Sequence, residues 1–191
     1  AKDALANLFG GVVIITEKPF SIGDWIKTPT VEGIVEDITF RSTLIRTFAD
    51  ALVTVPNATL ANESITNWSK MGKRQITFNL RVTHDTTQNQ LKNVVNRIQS
   101  LLKNHDDIHQ ETIFVSFDEY KENGLDIFLY FFTKTTNWGE YLKVREEVNF
   151  AIMDILKDEG VEFALPTTRF YVDSAQKRDV GGEISGGNEG A

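Results

Sequence analysis

AKDALANLFGGVVIITEKPFSIGDW, residues 1–25, is the stretch that decides the fold. Its first part, residues 1–17, repeats adjacent apolar pairs at four-residue steps, which predicts a helix with one apolar stripe. Proline cannot continue the hydrogen-bond ladder of a helix, so Pro19 predicts that this helix ends near residue 17. We expect the stripe to pack on another part of the molecule or to lie at a membrane surface; composition alone favours an ordinary core helix. The paired residues are Ala4-Leu5, Leu8-Phe9 and Val12-Val13.

Residues 18–70 predict a small β domain. Turn signals rich in Gly, Pro, Asn and Asp, the last of them Pro56-Asn57, recur every few residues, and β-rich runs lie between them. In one of these runs, Thr43, Ile45 and Thr47 alternate with Leu44, Arg46 and Phe48, the period of a strand. Five short strands with tight turns indicate a barrel or a sandwich. The predicted strands cover residues 25–27, 33–40, 42–47, 52–55 and 64–68.

Residues 71–165 predict an α/β domain of the ferredoxin-like type. A half-buried strand over 75–83 precedes an amphipathic helix that a cap at residues 85–87 introduces and that runs to about Asn104. Two strands follow, at 112–120 and 125–133, joined by an Asn123-Gly124 hairpin turn. A second amphipathic helix over 138–157, with Leu142 among its inward residues, ends at Glu159-Gly160, and residues 161–165 are extended. The order β-α-β-β-α-β is the split βαβ arrangement, so the predicted fold class is α+β.

Composition and charge exclude several classes of protein. The chain has 191 residues and no cysteine, so disulfides, thiolate metal sites and cysteine nucleophiles are absent. The net charge of −7 argues against nucleic-acid binding, which needs a basic face. The longest apolar run, Leu8 to Ile15, is too short to span a bilayer. Because the sequence begins abruptly in a helical pattern without a signal peptide, we expect further sequence upstream.

Candidate catalytic and metal-binding groups are few. His105-Asp106-Asp107-Ile108-His109 places four possible metal ligands in five residues, but consecutive loop residues splay their side chains, so a solvated loop is the better interpretation. No nucleophile elbow, dinucleotide-binding glycine pattern or phosphate-binding lysine loop occurs. We therefore expect no enzyme, no cofactor and no metal. The aromatics of Phe128-Tyr130-Phe132 could stack RNA bases, but no basic patch surrounds them, and we interpret them as core packing.

Five spaced elements, specific only in combination, carry a resemblance to a known family. They are DALANLFGGV (Asp3–Val12), KPFSIGDWI (Lys18–Ile26), VEGIVEDI (Val31–Ile38), Arg46-Thr47 and TVPN (Thr54–Asn57), with Asn67-Trp68-Ser69 after them. In this order they resemble the MscS-like small-conductance mechanosensitive ion channels. The likeness extends to FALP (Phe163–Pro166), nearly the whole chain except the end.

The resemblance implies a domain organisation. Residues 1–17 correspond to the lower, cytoplasmic half of the third transmembrane segment, which abuts the membrane, and residues 18–70 to an Sm-like β domain. Residues 71–165 correspond to the ferredoxin-like domain. Residues 166–173, with Arg169, Phe170 and Tyr171, correspond to one strand of a barrel shared by seven subunits. The Gly-rich residues 174–191 are expected to form a flexible tail.

The resemblance also implies a function. The parent protein is expected to be a homoheptameric channel of a bacterial-type inner membrane, opened by membrane tension, that releases ions and small osmolytes during hypo-osmotic shock. This portion forms the cytoplasmic vestibule. It contacts the lipid bilayer through its N-terminal helix and the missing upstream helices, and it binds no nucleic acid. Because the family's pore-sealing residues lie upstream, we expect this portion not to gate alone.

Two groups of site residues follow from the resemblance. Lys2 and Asp3 are expected at the pore mouth. A coupling surface between the helix and the β domain is expected from Asn7, Gly10, Gly11, Pro56 and Asn57.

One alternative from another class stays open at this point. A small β-barrel joined to a ferredoxin-like domain also occurs in soluble regulatory or nucleic-acid-binding proteins. Oligomeric mass and retention on single-stranded nucleic acid distinguish the two. A metal-dependent hydrolase is a more distant third possibility, which metal analysis tests.

Overall fold

The computed structural model describes residues 1–165. The predicted barrel strand (166–173) with Arg169, Phe170 and Tyr171, and the predicted tail (174–191), lie outside the described residues. Residues 1–165 form two antiparallel sheets, each with its own helices and its own hydrophobic core. The predicted α+β class is confirmed.

The first part is a β domain with the N-terminal helix packed on it. Its five strands form one sheet in the order β4-β3-β2-β1-β5, and every neighbouring pair is antiparallel. A register shift between Val35 and Asp37 bends β2 where it pairs with β3. The elements are α1 (Lys2–Glu17), β1 (Trp25–Lys27), β2 (Glu32–Ile38), β3 (Ser42–Arg46), β4 (Leu52–Pro56), α2 (Asn57–Asn62) and β5 (Thr66–Asn67), followed by a short 3₁₀ helix (Trp68–Lys70).

The core of the β domain is small and includes a residue of α1. Ile14 is almost completely buried there, so the helix helps to close the core. The remaining core residues come from the segment after the helix, from four different strands and from α2. The full set is Ile14, Phe20, Ile26, Val35, Ile45, Val55 and Leu60.

The apolar stripe predicted for α1 is not its packed face. The buried residues of α1 are Gly10, Gly11 and Ile14. The favoured interpretation, an ordinary core helix packed through its paired apolar residues, was therefore wrong. The physical reason is close approach, because glycine has no side chain and lets the backbone of α1 touch its neighbour. The large apolar residues left exposed are Leu5, Leu8, Phe9, Val12, Val13 and Ile15.

Two further expectations for the β domain were wrong. Pro56 and Asn57 do not form a turn: Pro56 ends β4 and Asn57 begins α2, a six-residue helix that the sequence did not predict. The strand predicted over 64–68 is reduced to Thr66–Asn67. It ends because the Asn67 side chain accepts a hydrogen bond from the Ser69 N–H and caps the 3₁₀ helix.

The second part is the α/β domain, whose elements are β6 (Arg74–Val82), α3 (Gln88–Lys103), β7 (Phe114–Lys121), β8 (Gly124–Thr133) and α4 (Trp138–Asp158). Its three-stranded sheet has the order β6-β8-β7. The predicted final strand at 161–165 is reduced to one bridge between Val82 and Phe163, which places this segment beside β6. The order of the other five elements, β-α-β-β-α, is the predicted one.

The helices of the α/β domain begin at capping residues. Thr87 and Gln90 form a reciprocal capping box at the start of α3, and the Asn137 side chain accepts from the Glu140 N–H at the start of α4. Leu142, predicted to face inward, is 41% exposed, and Val144 is buried in its place. The hairpin turn consists of Glu122 and Asn123, because Gly124 already pairs with Lys121 as the first residue of β8.

The aromatics of β8 do not lie in the core, so the core-packing interpretation of them was wrong. Ile127, Leu129 and Phe131 are fully buried beneath the helices, whereas Phe128, Tyr130 and Phe132 alternate with them and are half-buried on the opposite face. These three rings contact one another along the strand, with centroids 5.4 and 6.2 Å apart. Successive side chains of a strand point to opposite faces of the sheet, which separates the buried set from the half-buried aromatic set.

Arg74 connects the two parts of the chain. Its guanidinium carbon lies 5.2 Å from the ring centre of Trp25 in the β domain, and 4.4 and 4.7 Å from those of Trp138 and Tyr141 on α4. It also donates a hydrogen bond to the Thr136 carbonyl at 3.2 Å. A guanidinium stacks favourably on aromatic faces, so this one side chain holds both parts.

Candidate coupling site between the N-terminal helix and the β domain

Asn7, Gly10, Gly11 and Ile14 lie on one side of α1. Their spacing of three and four residues places them one above another on a helix. A Cβ atom added to Gly10 would lie 2.7 Å from the carbonyl carbon and oxygen of Asn57, closer than real Cβ contacts come. One added to Gly11 would lie 2.9 Å from Asn57 Nδ2 and 3.1 Å from the Phe40 carbonyl oxygen. Both glycines are therefore required by the close approach of α1 to Asn57.

Asn57 is fully buried at the centre of this contact. Its Nδ2 donates to the Thr39 carbonyl at 2.8 Å, and its Oδ1 accepts from the Thr43 hydroxyl at 2.9 Å. Its backbone N–H donates to the Arg41 carbonyl at 2.9 Å. These bonds satisfy an amide that would otherwise be costly to bury, and they fix α2 to the β2–β3 turn.

Asn7 joins α1 to α2 directly. Its Oδ1 accepts a hydrogen bond from the Ala58 N–H at 3.0 Å. The first N–H groups of a helix have no partner within the helix, so Asn7 supplies one from a neighbouring element. The contact between α1 and α2 thus consists of two glycines, two asparagines and backbone groups.

The end of α1 is held by a second set of polar contacts. Lys18 adopts a left-handed conformation with φ 48°, and its N–H donates to the Ile14 carbonyl. Lys70 Nζ donates to the Lys18 carbonyl at 3.1 Å. Asn67 Nδ2 donates to the Pro19 carbonyl at 3.1 Å and to the Asp24 carboxylate at 2.8 Å. These bonds anchor the exit of α1 to the segment that follows α2.

The structure brings together four of the five residues predicted for the coupling surface, namely Asn7, Gly10, Gly11 and Asn57. Pro56 lies one residue away, as the exposed cap of α2, and pairs with Ser42 across β3 and β4. Lys2 and Asp3 lie in the exposed first turn of α1, apart from this contact.

Sequence reasoning missed Thr39, Thr43 and Ala58. Thr43 lies on the buried face of β3 with Ile45, and its period-two position was visible in the sequence. Because a buried hydroxyl needs a hydrogen-bond partner, this position was the signal that could have identified Thr43. Thr39 and Ala58 take part through backbone groups, which leave no trace in side-chain identity.

The residues at the contact have no group that ionises near neutral pH. Asn7, Gly10, Gly11, Asn57 and Thr43 bond and pack in the same way from mildly acidic to mildly basic solution. The contact joins a helix to a sheet, and none of these side chains is an ionisable acid or base.

Elsewhere in residues 1–165 several ionisable side chains form structural pairs. Arg81 holds the buried Asp126 carboxylate with two hydrogen bonds, which lower the pKa of Asp126 below its ordinary value against the opposing effect of burial. His105 lies 3.6 Å from the Glu147 carboxylate, and its Nδ1 accepts from the Asp107 N–H. No group of three or more His, Asp or Glu residues in this part of the chain is arranged to hold a metal ion.

Comparison with known proteins gives two matches to family models. The model described as mechanosensitive ion channel, beta-domain, matches residues 3–70, and the model described as mechanosensitive ion channel MscS, C-terminal, matches residues 76–163.

Relatives of known name match most of the chain. The uncharacterized MscS family protein YhdY of Bacillus subtilis (strain 168) is 49% identical over 179 residues, 94% of this chain and 48% of that protein. The low conductance mechanosensitive channel YnaI of Escherichia coli (strain K12) is 36% identical over 183 residues, 94% of this chain and 53% of that protein. The chain therefore spans about half the length of these curated relatives.

Solved structures share the fold. Arabidopsis thaliana MSL1 superimposes with a TM-score of 0.80 at 23% identity, over 86% of this chain and 60% of that one. Helicobacter pylori MscS in a closed state gives a TM-score of 0.77 at 23% identity, over 90% and 66%. Within residues 1–165, no helix has the length and apolar content needed to cross a membrane.

Proposed function

The chain belongs to the MscS family of mechanosensitive ion channels, and from this premise we propose that it is the vestibule-forming portion of a channel subunit opened by membrane tension. Tension favours the conformer with the larger in-plane area, so gating is a shift between two populations. In this proposal the parent channel lies in an inner membrane, this portion is cytoplasmic, and ions and small osmolytes leave the cell through the pore during hypo-osmotic shock.

One observation carries the proposed role of this portion: the backbone of α1 lies directly against Asn57 of the β domain. The glycines allow the contact and the Asn7–Ala58 hydrogen bond sets its position. A helix that continues the pore and rests on a fixed point of the vestibule must break or remake this contact when the pore changes diameter. We assign coupling between the pore and the β domain to Asn7, Gly10, Gly11 and Asn57, with Pro56 fixing the start of α2.

A disulfide across this contact tests the coupling. This chain has no cysteine, so Asn7→Cys and Ala58→Cys can be introduced without a competing thiol from it, in a full-length subunit whose other cysteines are replaced. The hydrogen bond of 3.0 Å from the Ala58 N–H to the Asn7 side chain makes the two residues neighbours in space, which is the condition for trying a disulfide between them. Oxidation in excised membrane patches should lock the channel in one state, because the helix can no longer leave α2, and reduction should restore tension-dependent currents.

Each single cysteine variant, oxidised in the same way, is the control and should conduct normally. Currents that open, close and inactivate identically before and after oxidation, with the cross-link shown by mass spectrometry, would contradict the coupling role.

Lys2 and Asp3 belong to a separate proposal, a charged ring at the pore mouth. Both are exposed in the first turn of α1, where a symmetric assembly would repeat them around the axis. Rings of charge change ion selectivity. Lys2→Gln should shift the reversal potential in a salt gradient toward cation preference, and an unchanged reversal potential would remove Lys2 from the conduction path.

The assembly is proposed to be a homoheptamer, with residues 166–173, including Arg169, Phe170 and Tyr171, forming a shared barrel. The mass of the detergent-solubilised parent, with and without a stop before residue 166, tests both parts. A heptamer that loses cohesion on truncation supports the barrel, and another subunit number contradicts the stoichiometry.

A further inference from the structure

A groove runs between α1 and the turn that joins β2 to β3. It encloses about 540 Å³. We propose that this groove binds the phosphate headgroup of an anionic phospholipid, with Phe40 inserted at the bilayer surface. The inference rests on the proposed function, because that function places α1 against a membrane. The lining residues are Asn7, Thr39, Phe40, Arg41, Ser42, Thr54 and Pro56.

Arg41 is the one charged residue that lines the groove, in a chain whose net charge is −7. Within residues 1–165 its guanidinium has no ion pair and no hydrogen bond, whereas Arg46, Arg81 and Arg97 are each paired with carboxylates. A guanidinium binds phosphate through two parallel hydrogen bonds. The groove therefore offers an anion site that no side chain of the described residues occupies.

The turn that joins β2 to β3 is held rigidly in place. The Arg41 carbonyl accepts from the Asn57 N–H, the Thr39 carbonyl accepts from Asn57 Nδ2, and the Ser42 N–H donates to the Thr39 hydroxyl. The backbone on both sides of Phe40 is thus fixed before any ligand binds. The Arg41 and Phe40 side chains project from a fixed base, and a ligand does not have to order the loop.

Phe40 lies beside exposed apolar residues of α1. Phe40 is 76% exposed, although its carbonyl lies against Gly11 of α1. Consecutive residues of a helix are rotated by 100° about its axis. Viewed down the axis of α1, Leu8, Val12 and Ile15 therefore lie next to Gly11 on the side away from Gly10. All three are exposed. Phe40 therefore continues the apolar flank of α1.

A phospholipid matches this arrangement better than a protein does. Segments that bind at a membrane surface place basic residues at the phosphate layer and apolar residues in the hydrocarbon beneath it. The groove offers both: an arginine, and an exposed aromatic ring beside a strip of aliphatic side chains. In the proposed complex the phosphate accepts from Arg41 while acyl chains lie along Phe40 and the Leu8–Ile15 flank.

Flotation of the complete 191-residue chain with lipid vesicles tests the proposal. One set of vesicles is phosphatidylcholine, and the other contains equal parts of phosphatidylcholine and phosphatidylglycerol. The chain should float with the second set, and Arg41→Gln should weaken that binding by about tenfold, the loss of one charge-assisted contact. Phe40→Ala should weaken binding to a similar extent. Arg145→Gln is the matched control, because Arg145 is exposed on α4 and also lacks a partner in the described residues.

The other outcomes overturn the proposal in different ways. Equal losses for Arg41→Gln and Arg145→Gln would indicate unspecific attraction to a charged surface. Release by inorganic phosphate, but not by chloride at matched ionic strength, would identify a free anion as the ligand. A change in oligomeric mass on Arg41→Gln, without a change in flotation, would assign the groove to a second copy of the chain.

Failure of this inference is separable from failure of the proposed function. A parent channel carrying Arg41→Gln that opens under tension with wild-type lipid dependence would remove the lipid site and leave the channel function intact. Absence of tension-dependent currents in the unmodified parent would instead remove the proposed function, whatever the flotation shows.

Discussion

At the scale of single residues, the two glycines of α1 contribute by the side chain they lack. Gly10 and Gly11 bring helix backbone to within contact of Asn57, and no other residue type leaves room there. Because the contact consists of backbone and amide groups, its geometry is set by short hydrogen bonds and by excluded volume. Small changes at these positions therefore have large consequences.

Replacement of Gly10 by alanine should separate α1 from α2. The added methyl group would meet the Asn57 backbone at 2.7 Å, and backbone cannot rotate away as a side chain can. We expect a loss of about 1–3 kcal/mol in the free energy of unfolding of the β domain, the usual cost of overpacking. Urea denaturation followed by tryptophan fluorescence measures it, because Trp25 and Trp68, two of the three tryptophans, lie in the β domain.

Gly139→Ala is the matched control for Gly10→Ala. Gly139 also lies in a helix, but a Cβ there meets only the Asn137 side chain at 3.5 Å, an ordinary contact. Alanine should be neutral or slightly stabilising at that position. Equal effects of the two substitutions would show that helix propensity, and not the approach to Asn57, determines the result.

The contact at Asn57 could be predicted from the sequence only in part. The sequence predicted Asn7, Gly10, Gly11 and Asn57, and the structure places them together. The partners of Asn57 could not be predicted, since the Thr39 carbonyl acts through the backbone. The apolar pairs of α1 were misinterpreted, because hydrophobic periodicity cannot indicate a helix face packed through glycine.

At the scale of elements, the most deeply buried charged group among residues 1–165 lies in the β6–β8 strand pair. Asp126 is completely buried and lies opposite Arg81 in the register of the pair. The Arg81 guanidinium, which is 38% exposed, bonds both oxygens of the carboxylate. Because the pKa of Asp126 is lowered in the folded chain, this pair links the stability of the sheet to pH.

Acid should weaken the β6–β8 pair, and Asp126→Asn should remove that dependence. A carboxylate with a lowered folded pKa stabilises fully above its unfolded value, here 3.8, and loses the contribution as pH falls through the folded pKa. The urea midpoint of the wild type should therefore fall below pH 3.8 more steeply than that of the variant. At pH 7 the variant should be the less stable protein.

Glu36→Gln provides the comparison for Asp126→Asn. Glu36 also accepts two hydrogen bonds from an arginine, Arg46, which lower its pKa, but both side chains are more than one-third exposed. Exposed ion pairs contribute little, so the midpoint at neutral pH should hardly change. A loss as large as that of Asp126→Asn would mean that burial is not what gives the Arg81 pair its effect.

Most helices and strands could be predicted from local pattern. The helices α3 and α4 begin and end where capping residues and glycine indicate, because those signals act within a few residues. The short helix α2 was missed, since NATLAN is too short to show a period and is held by Asn7 from a distant part of the chain. Phe128, Tyr130 and Phe132 were misassigned because period two fixes alternation but not which face the helices cover.

At the scale of the whole molecule, Arg74 is a residue that contacts both the β domain and the α/β domain. It lies at the start of β6 and contacts Trp25 on one side and Trp138 and Tyr141 on the other. The two hydrophobic cores share no residue. We therefore expect this polar and aromatic contact to contribute to cooperation between the two parts.

Arg74→Ala should uncouple the two parts in thermal unfolding. Each cation–aromatic contact contributes about 0.5–2 kcal/mol, and all of them are lost together. We expect differential scanning calorimetry to show a separate transition of lower midpoint for the β domain, whose core is the smaller one. Arg74→Lys should fall between the wild type and alanine.

Lys73→Ala is the control for Arg74→Ala, because Lys73 lies over Phe132 inside the α/β domain at 4.6 Å from the ring centre. Its loss should leave the coupling of transitions unchanged. An identical calorimetric profile for Arg74→Ala and the wild type would show that the two parts communicate through other contacts.

The hydrogen bond between Asn7 and Ala58 has a consequence for the order of assembly. It joins residues 51 positions apart, whereas β2 and β3 pair across a turn of a few residues. Closing a long loop costs more chain entropy than closing a short one, so the strands form first and α1 docks last. The final contact to form is also the first to open in the native state. The Ala58 amide should consequently exchange with deuterium faster than the Ile45 amide, and α1 can leave and return while the sheet stays folded.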